Sequence, residues 1–508
     1  MRGESLKSVR ASEYPRLAIG GVGFVAASSA AVLVFSASRY GFFGDELYFL
    51  AAGRRLSFGY ADQGFMLPAL ARLMDTLAPG SLLALRLPVV VLTVLAVVLS
   101  AQIARELGGG RAAQILTALA YSTSSFLLLQ GKVLSTNAVD TVLWVVITWL
   151  VVRWVRTRRD VLLLAAGLVT AVDMQVKWLI PVFWIAVVVG VGVYGPRELL
   201  RRPLLWLGGA ITVAVTIPTL LWQARNGWPQ LGMAEVVSGE QEFVGGRALF
   251  VPLALLMAGL LGALLLCYGV WALWTHESLR PYRFLGVVLV LVTVVFLITG
   301  GRSYYVVGLY PVVFAAGAVA ATGRVARLGV RRRRWARGAC VLAVAASVLL
   351  VASAVPWQDE AGLEPAASVE EASLGIGLYG EFGWPELTEA VEQAVAGLPP
   401  EERATAVIVT EVYWQAGALD QLGRDRLPAV YSPSRGFGYF GTPPPEATTA
   451  LCVGWDDGRL RQRFSTVEPV GAVDVRLGFP GVTRDVTIWK CAGPLGGWQA
   501  QWDDWMHL

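Results

Sequence analysis

Eleven stretches of this chain are apolar over roughly the length a helix needs to cross a hydrocarbon layer. They lie near 17–38, 86–104, 112–130, 138–154, 160–175, 178–194, 203–224, 248–274, 284–300, 303–322 and 336–356. A soluble fold cannot hide so many. Only 16% of the residues are charged, against about 25% in soluble domains. The expectation is a polytopic α-helical membrane protein with about eleven transmembrane helices. The first run has no small-residue cleavage pattern behind it, so it reads as a retained helix. The runs at 160–175 and 178–194 are short enough to form, in part, a re-entrant pair.

Charge is distributed unevenly. From Trp357 to the end there are 22 acidic and 10 basic residues, whereas the remainder holds 15 and 32. With Arg2, Lys7, Arg10 and Arg16 placed in the cytoplasm, the alternate loops carry Arg105 and Arg111, Arg153 to Arg159, Arg197 to Arg202, Arg280 and Arg283, and the cluster Arg324 to Arg337. Nearly every basic cluster then falls on the cytoplasmic side, as the positive-inside rule requires. The basic excess reports topology, not nucleic-acid binding. Asp45, Glu46, Asp62, Lys132, Asp140, Lys177, Arg225, Arg302 and the tail all fall on the outer face.

The first outer loop, about 39–85, holds two segments with helical apolar spacing, Glu46 to Ala52 and Leu67 to Met74, which predict interfacial helices around a turn at 59–64. The tail, 357–508, is charged and punctuated by Pro and Gly. Helical signals at 385–396 and 413–422, with strand signals at 404–410, 428–431 and 448–453, predict a separate extracytoplasmic α/β domain beyond a membrane module at 1–356. Cys452 and Cys491 fall in that domain, where an oxidising compartment permits a disulfide; Cys267 and Cys340 lie in apolar runs. Two histidines, His276 and His507, are too few for a multi-histidine metal site.

The most unusual local feature is the carboxylate pair Asp45-Glu46 directly after the first apolar run. Charges at a membrane boundary are costly unless solvated or used. The segment Asp45-Glu-Leu-Tyr-Phe-Leu50 resembles the first outer loop of GT-C glycosyltransferases, and more narrowly the bacterial branch of the dolichyl-phosphate-mannose–protein mannosyltransferase family (glycosyltransferase family 39 type). Further resemblances follow in order: Gly59-Tyr-Ala-Asp-Gln63, Leu134-Ser-Thr-Asn-Ala-Val-Asp140, Val176-Lys-Trp178, Gly301-Arg-Ser-Tyr-Tyr305 with Tyr310-Pro311, Phe382-Gly-Trp-Pro-Glu-Leu387, Gln415-Ala-Gly-Ala-Leu-Asp420 and Cys491-Ala-Gly-Pro494. The chain departs from the family's pattern at Gly64-Phe65, where it has Pro-Pro, at Gln415, where an acid is usual, and through Ser432 to Phe440.

This resemblance implies transfer of a sugar from a polyprenyl-phosphate carrier to an acceptor hydroxyl outside the cytoplasm, with inversion, at a bacterial plasma membrane. An acceptor hydroxyl needs a base, for which Asp45 is the candidate, with Glu46 or Asp140 orienting it or the acceptor. A departing lipid phosphate needs cations; Lys177 and Arg302 are the candidates, with Arg225 and Lys132 behind them. Asp62, Gln63, Asn137, Tyr304 and Tyr305 are expected to line the substrate cavity. Partners are the polyprenyl-phosphate sugar, membrane lipid and an acceptor of open identity (glycan, lipid, protein or small molecule). No motif indicates a cofactor; a divalent cation at Asp45-Glu46 is compatible but not called for. The rival readings are a transporter or flippase for a lipid-linked substrate and a membrane-anchored binding protein. Neither needs Asp45, so Asp45→Asn separates them from a transferase.

Overall fold

The computed structural model describes residues 14–243 and 245–508; Arg2, Lys7 and Arg10 lie outside these. Each of the eleven apolar runs is helical, but they are not equivalent. Among the described residues, eight helices are long and apolar enough to span, including Ile19–Ala37, Leu82–Glu106, Thr136–Thr157, Pro203–Arg225 and Val330–Ala354. Val161–Asp173 and Ile180–Tyr194 are apolar but shorter. The third run breaks into Arg111–Ser122 and Ser125–Gln130. The break follows from Ser124, whose hydroxyl accepts the N–H of Leu127 and so starts a new helix. Opposite it, the helix Phe250–Thr275 kinks at Gly259, where φ is +69° and an added Cβ would meet the backbone of Thr123 and Ser124. The close passage of the two segments requires glycine there. A further helix, Pro229–Phe243, has no strong apolar signature and was not foreseen.

The two loop helices form, as Gly44–Arg54 and Met66–Leu77. The first corrects the expectation of a surface-lying helix: nine of its eleven residues are buried. It is clamped between the membrane helices and the tail domain, with Leu47, Phe49, Ala51 and Ala52 in one core with Trp384, Ala416 and Leu419. Met66–Leu77 keeps an exposed apolar edge, with Leu73 and Leu77 outward.

Helices Trp384–Ala396 and Tyr413–Leu422 of the tail are as expected. They pack on a five-stranded mixed sheet of β1 (Val407–Thr410), β2 (Val430–Tyr431), β3 (Thr449–Val453), β4 (Phe464–Val473) and β5 (Val486–Pro494), in the order β2-β1-β3-β5-β4. β1 is parallel to β2 and β3, while β5 runs antiparallel to β3 and β4. β1 and β3 are buried throughout, which explains their uninterrupted apolar sequences. On the far face, Trp498, Trp502 and Trp505 share one side of the helix Trp498–Trp505 and pack with Trp455 and Phe464.

The expected disulfide is not formed: Cys452 and Cys491 are free and buried. Cys452 lies opposite Trp489, and Cys491 opposite Ala450, so the two cysteines are diagonal neighbours across β3 and β5. Their thiols lie within hydrogen-bond reach of one another, with no bond between the sulfurs.

Candidate active site

Glu46 and Asp45 are adjacent in sequence but face different surroundings. Glu46 is fully buried and paired with fully buried Arg86 at 2.8 Å. It also accepts the N–H of Leu134 at 2.8 Å and that of Phe43 at 2.9 Å, the latter closing the start of its own helix. Arg86 donates further to the carbonyls of Ala37 and Gly41. Glu381 of the tail approaches Arg86 at 4.0 Å and binds Lys132 at 2.6 Å. Burial pushes the Glu381 carboxyl up from its usual value, against the pull of Lys132 and Arg86. This four-charge network fastens the loop, the Leu82–Glu106 helix and the tail together. In it Glu46 and Lys132 are buried and their charges are met by other side chains of the protein.

Asp45 is half-buried. Its Oδ1 accepts the phenol of Tyr413 and the indole N–H of Trp414, both at 2.7 Å. Oδ2 has no hydrogen-bond partner among the described residues. Two donors from the tail thus fix one oxygen and leave its twin available. Gln415, the departure from the family's acid, accepts the N–H of Val412 and donates to the Val482 carbonyl, closing the start of the helix that carries both donors.

Asp62 lies nearby, its Oδ1 accepting the Tyr48 hydroxyl at 2.9 Å. Burial pushes its carboxyl from 3.8 up to about 6; Arg435 and the Tyr48 hydrogen bond pull it down, and the Asp45 charge adds to the rise. Gln63 is buried beside Tyr48. Gly64 follows because an added Cβ would strike the backbone of Gln175, two residues before Lys177; the loop is drawn onto that segment by the Met66 N–H bond to the Gln175 carbonyl at 3.1 Å.

Lys177 forms a second group. Its ammonium donates to Asn137 Oδ1 at 2.6 Å and lies 4.3 Å from the Tyr305 ring centre and 5.9 Å from that of Tyr304. Asn137 in turn donates to the Tyr304 hydroxyl at 3.4 Å. Asp140, one turn along, is buried beside Lys177 and within hydrogen-bond reach of Asp173. Asp173 is fully buried, its carboxyl beside that of Asp140 and the indole of Trp144. The sequence signal for it is its place four residues before Lys177, whose N–H its carbonyl accepts at 2.9 Å. Five expected residues, Asn137, Asp140, Lys177, Tyr304 and Tyr305, are therefore brought together.

Arg302 belongs to a third group. It is paired with Glu240, which also pairs with Arg435. The Arg435 guanidinium lies 4.9 Å from the Tyr413 ring centre and donates to its hydroxyl at 3.3 Å. A continuous path of contacts therefore joins Asp45, Tyr413, Arg435, Glu240 and Arg302. Arg225 is exposed. No group of three or more His, Cys, Asp or Glu side chains comes together as a metal site among the described residues.

Against known structures, ArnT from Cupriavidus metallidurans bound to undecaprenyl phosphate aligns with a TM-score of 0.57 at 17% identity, covering 93% of this chain and 98% of that one. Its apo state gives a TM-score of 0.58 at the same identity and coverage. The fold is therefore that of the GT-C membrane glycosyltransferases. Within that class, residues 62–222 match the model of the family dolichyl-phosphate-mannose-protein mannosyltransferase, in agreement with the resemblance carried by Asp62-Gln63, Asn137 to Asp140 and Lys177. No curated protein sequence matches the chain.

Proposed function

We propose that the protein transfers a sugar from a polyprenyl-phosphate carrier to an acceptor hydroxyl, with residues 1–356 as the catalytic membrane module and 357–508 as an extracytoplasmic domain. The N-terminus is cytoplasmic and the membrane is a bacterial plasma membrane in this reading, which rests on the alternation of arginine-rich loops. The observation that carries it is the state of Asp45: one oxygen held by Tyr413 and Trp414, the other without a partner. A general base needs that combination of fixed orientation and an available lone pair.

In the proposed reaction, the acceptor oxygen attacks the anomeric carbon while Asp45 takes its proton. The bond from that carbon to the phosphate oxygen breaks, and the lipid phosphate leaves with the electron pair. Lys177 and Arg302 steady its charge. Glu240 supports the Arg302 assignment, since a carboxylate between Arg302 and Arg435 marks a place where two guanidiniums converge on an anion. Apolar surface between the helices would hold the prenyl chain, and ArnT bound to undecaprenyl phosphate shows that this fold admits such a lipid.

The test uses purified protein and a panel of polyprenyl-phosphate sugars. Transfer by the wild type, lost in Asp45→Asn with donor binding retained, supports the reading. Near-wild-type transfer by Asp45→Asn defeats Asp45 as base. Failure to bind any polyprenyl-phosphate sugar favours the transporter or anchored-binder alternatives.

A further inference from the structure

A cavity of about 390 Å³ lies away from the groups described above, where the loop helix Gly44–Arg54 meets the tail domain. That volume is within the range of small-molecule sites. Arg54, Arg55 and Arg424 line it with a single carboxylate, Asp420. Asp420 is shared: Arg55 donates to both of its oxygens, Oδ1 at 2.8 Å and Oδ2 at 3.0 Å, and Arg54 donates to Oδ2 as well. One carboxylate neutralises one guanidinium, so the wall keeps a formal charge of +2. Arg424 is exposed, lies beside Arg54 and has no acidic partner among the described residues. The Arg55 guanidinium is stacked over Phe437 and Phe440, 5.7 and 5.4 Å from their ring centres. An arginine held over aromatic rings, on a wall with a net positive charge, suits the carboxylate or phosphate of a sugar-sized ligand.

The cavity is coupled to the candidate base by rigid structure. Arg54 ends the helix that Asp45 begins, nine residues away, or about 14 Å at the rise of an α-helix. Phe440 stacks on Tyr48 with centres 6.2 Å apart, and Tyr48 holds Asp62. A short oligosaccharide spans that interval.

We infer that this cavity binds the carboxylate or phosphate of an anionic glycan acceptor, placing one of its hydroxyls at Asp45. The inference rests on the transferase reading for what lies at Asp45, but binding at the cavity is measurable without turnover.

The experiment is calorimetric binding to full-length protein in nanodiscs, with mannose 6-phosphate, glucuronate, mannose and inorganic phosphate as probes. One or both anionic sugars should bind and mannose should not; which one binds tells phosphate from carboxylate. Arg424→Glu, at an exposed unpaired side chain, should weaken that binding by about tenfold or more, the usual worth of a charge-assisted contact. Ala429→Asp, an exposed change on the same wall, should do likewise. Four results would overturn the inference: no binding by either anionic sugar, equal binding of mannose, inorganic phosphate binding as tightly as the sugars, or unchanged affinity in both cavity variants. Loss of transfer in Asp45→Asn with these affinities intact bears only on the transferase reading.

Discussion

Tyr413 of the tail domain donates its hydroxyl to Oδ1 of Asp45 in the first loop, at 2.7 Å across 368 positions of sequence. The candidate base is thus oriented by a domain outside the membrane helices. Tyr413→Phe keeps the ring and removes that donor, leaving Trp414 alone on the oxygen. The expected result is a fall in kcat of about tenfold to a hundredfold, the worth of a hydrogen bond to a charged group. Asp45→Asn should cost more, roughly 10²–10⁴-fold. Donor KM should change little in either. Steady-state kinetics check this, and Tyr413→Phe turning over at the wild-type rate would remove the tail from the mechanism.

Glu46 is predicted to act on stability. Glu46→Gln leaves Arg86 buried with only the 4.0 Å approach of Glu381 to compensate it. Breaking one side of a buried pair costs about 3–5 kcal/mol. Thermal unfolding in detergent should show a clear drop in the midpoint for Glu46→Gln and almost none for Asp45→Asn. Equal midpoints for the two would contradict the division of labour between these neighbours.

The part of this architecture that depends on local pattern was legible in sequence. Apolar runs mark helices whatever they touch, so all eleven appear; their breaks at Ser124 and Gly259 arise from two segments crossing, which no single run records. Asp45 and Lys177 stand out because polar groups beside apolar runs are conspicuous, and Asn137 because it lies in a stretch that resembles a family motif. Their partners do not. Glu240 sits in a helix without an apolar signature, Tyr413 and Arg435 lie in a domain whose docking onto the loop is a tertiary fact, and Asp173 looks like the polar end of a span. The burial of Glu46 is not legible in sequence, because adjacent helical positions point about 100° apart and only the packed neighbours tell which side is buried.

Asp62 supplies a pH signature. Its carboxyl is raised by burial from 3.8 to about 6. Between those values the folded state holds a proton that the unfolded chain has released, so this residue makes stability fall as pH rises from about 4 through 6. Asp62→Asn lacks that term. The midpoint of the variant relative to wild type should therefore increase between pH 4.5 and 7.5, with the change centred below or near 6. A constant difference across that range would show that Asp62 does not titrate there.

The final prediction concerns Lys177, which faces two buried carboxylates, Asp140 and Asp173. With the ammonium present, one positive charge and the Asn137 amide organise the group. Lys177→Met removes the cation and leaves two acids side by side in a low-dielectric setting, where their mutual repulsion and their desolvation both oppose folding. Asp173→Asn in the same chain removes one of those acids. The two substitutions should therefore be strongly non-additive: Lys177→Met alone destabilises by about 3 kcal/mol or more, and the double variant recovers about 1–3 kcal/mol of that, within the range of coupling between contacting residues. Chemical denaturation of wild type, both single variants and the double variant closes the cycle. Additive losses would mean that Asp173 does not share the field of Lys177, and Lys177 would then have to be explained by Asn137, Tyr304 and Tyr305 alone.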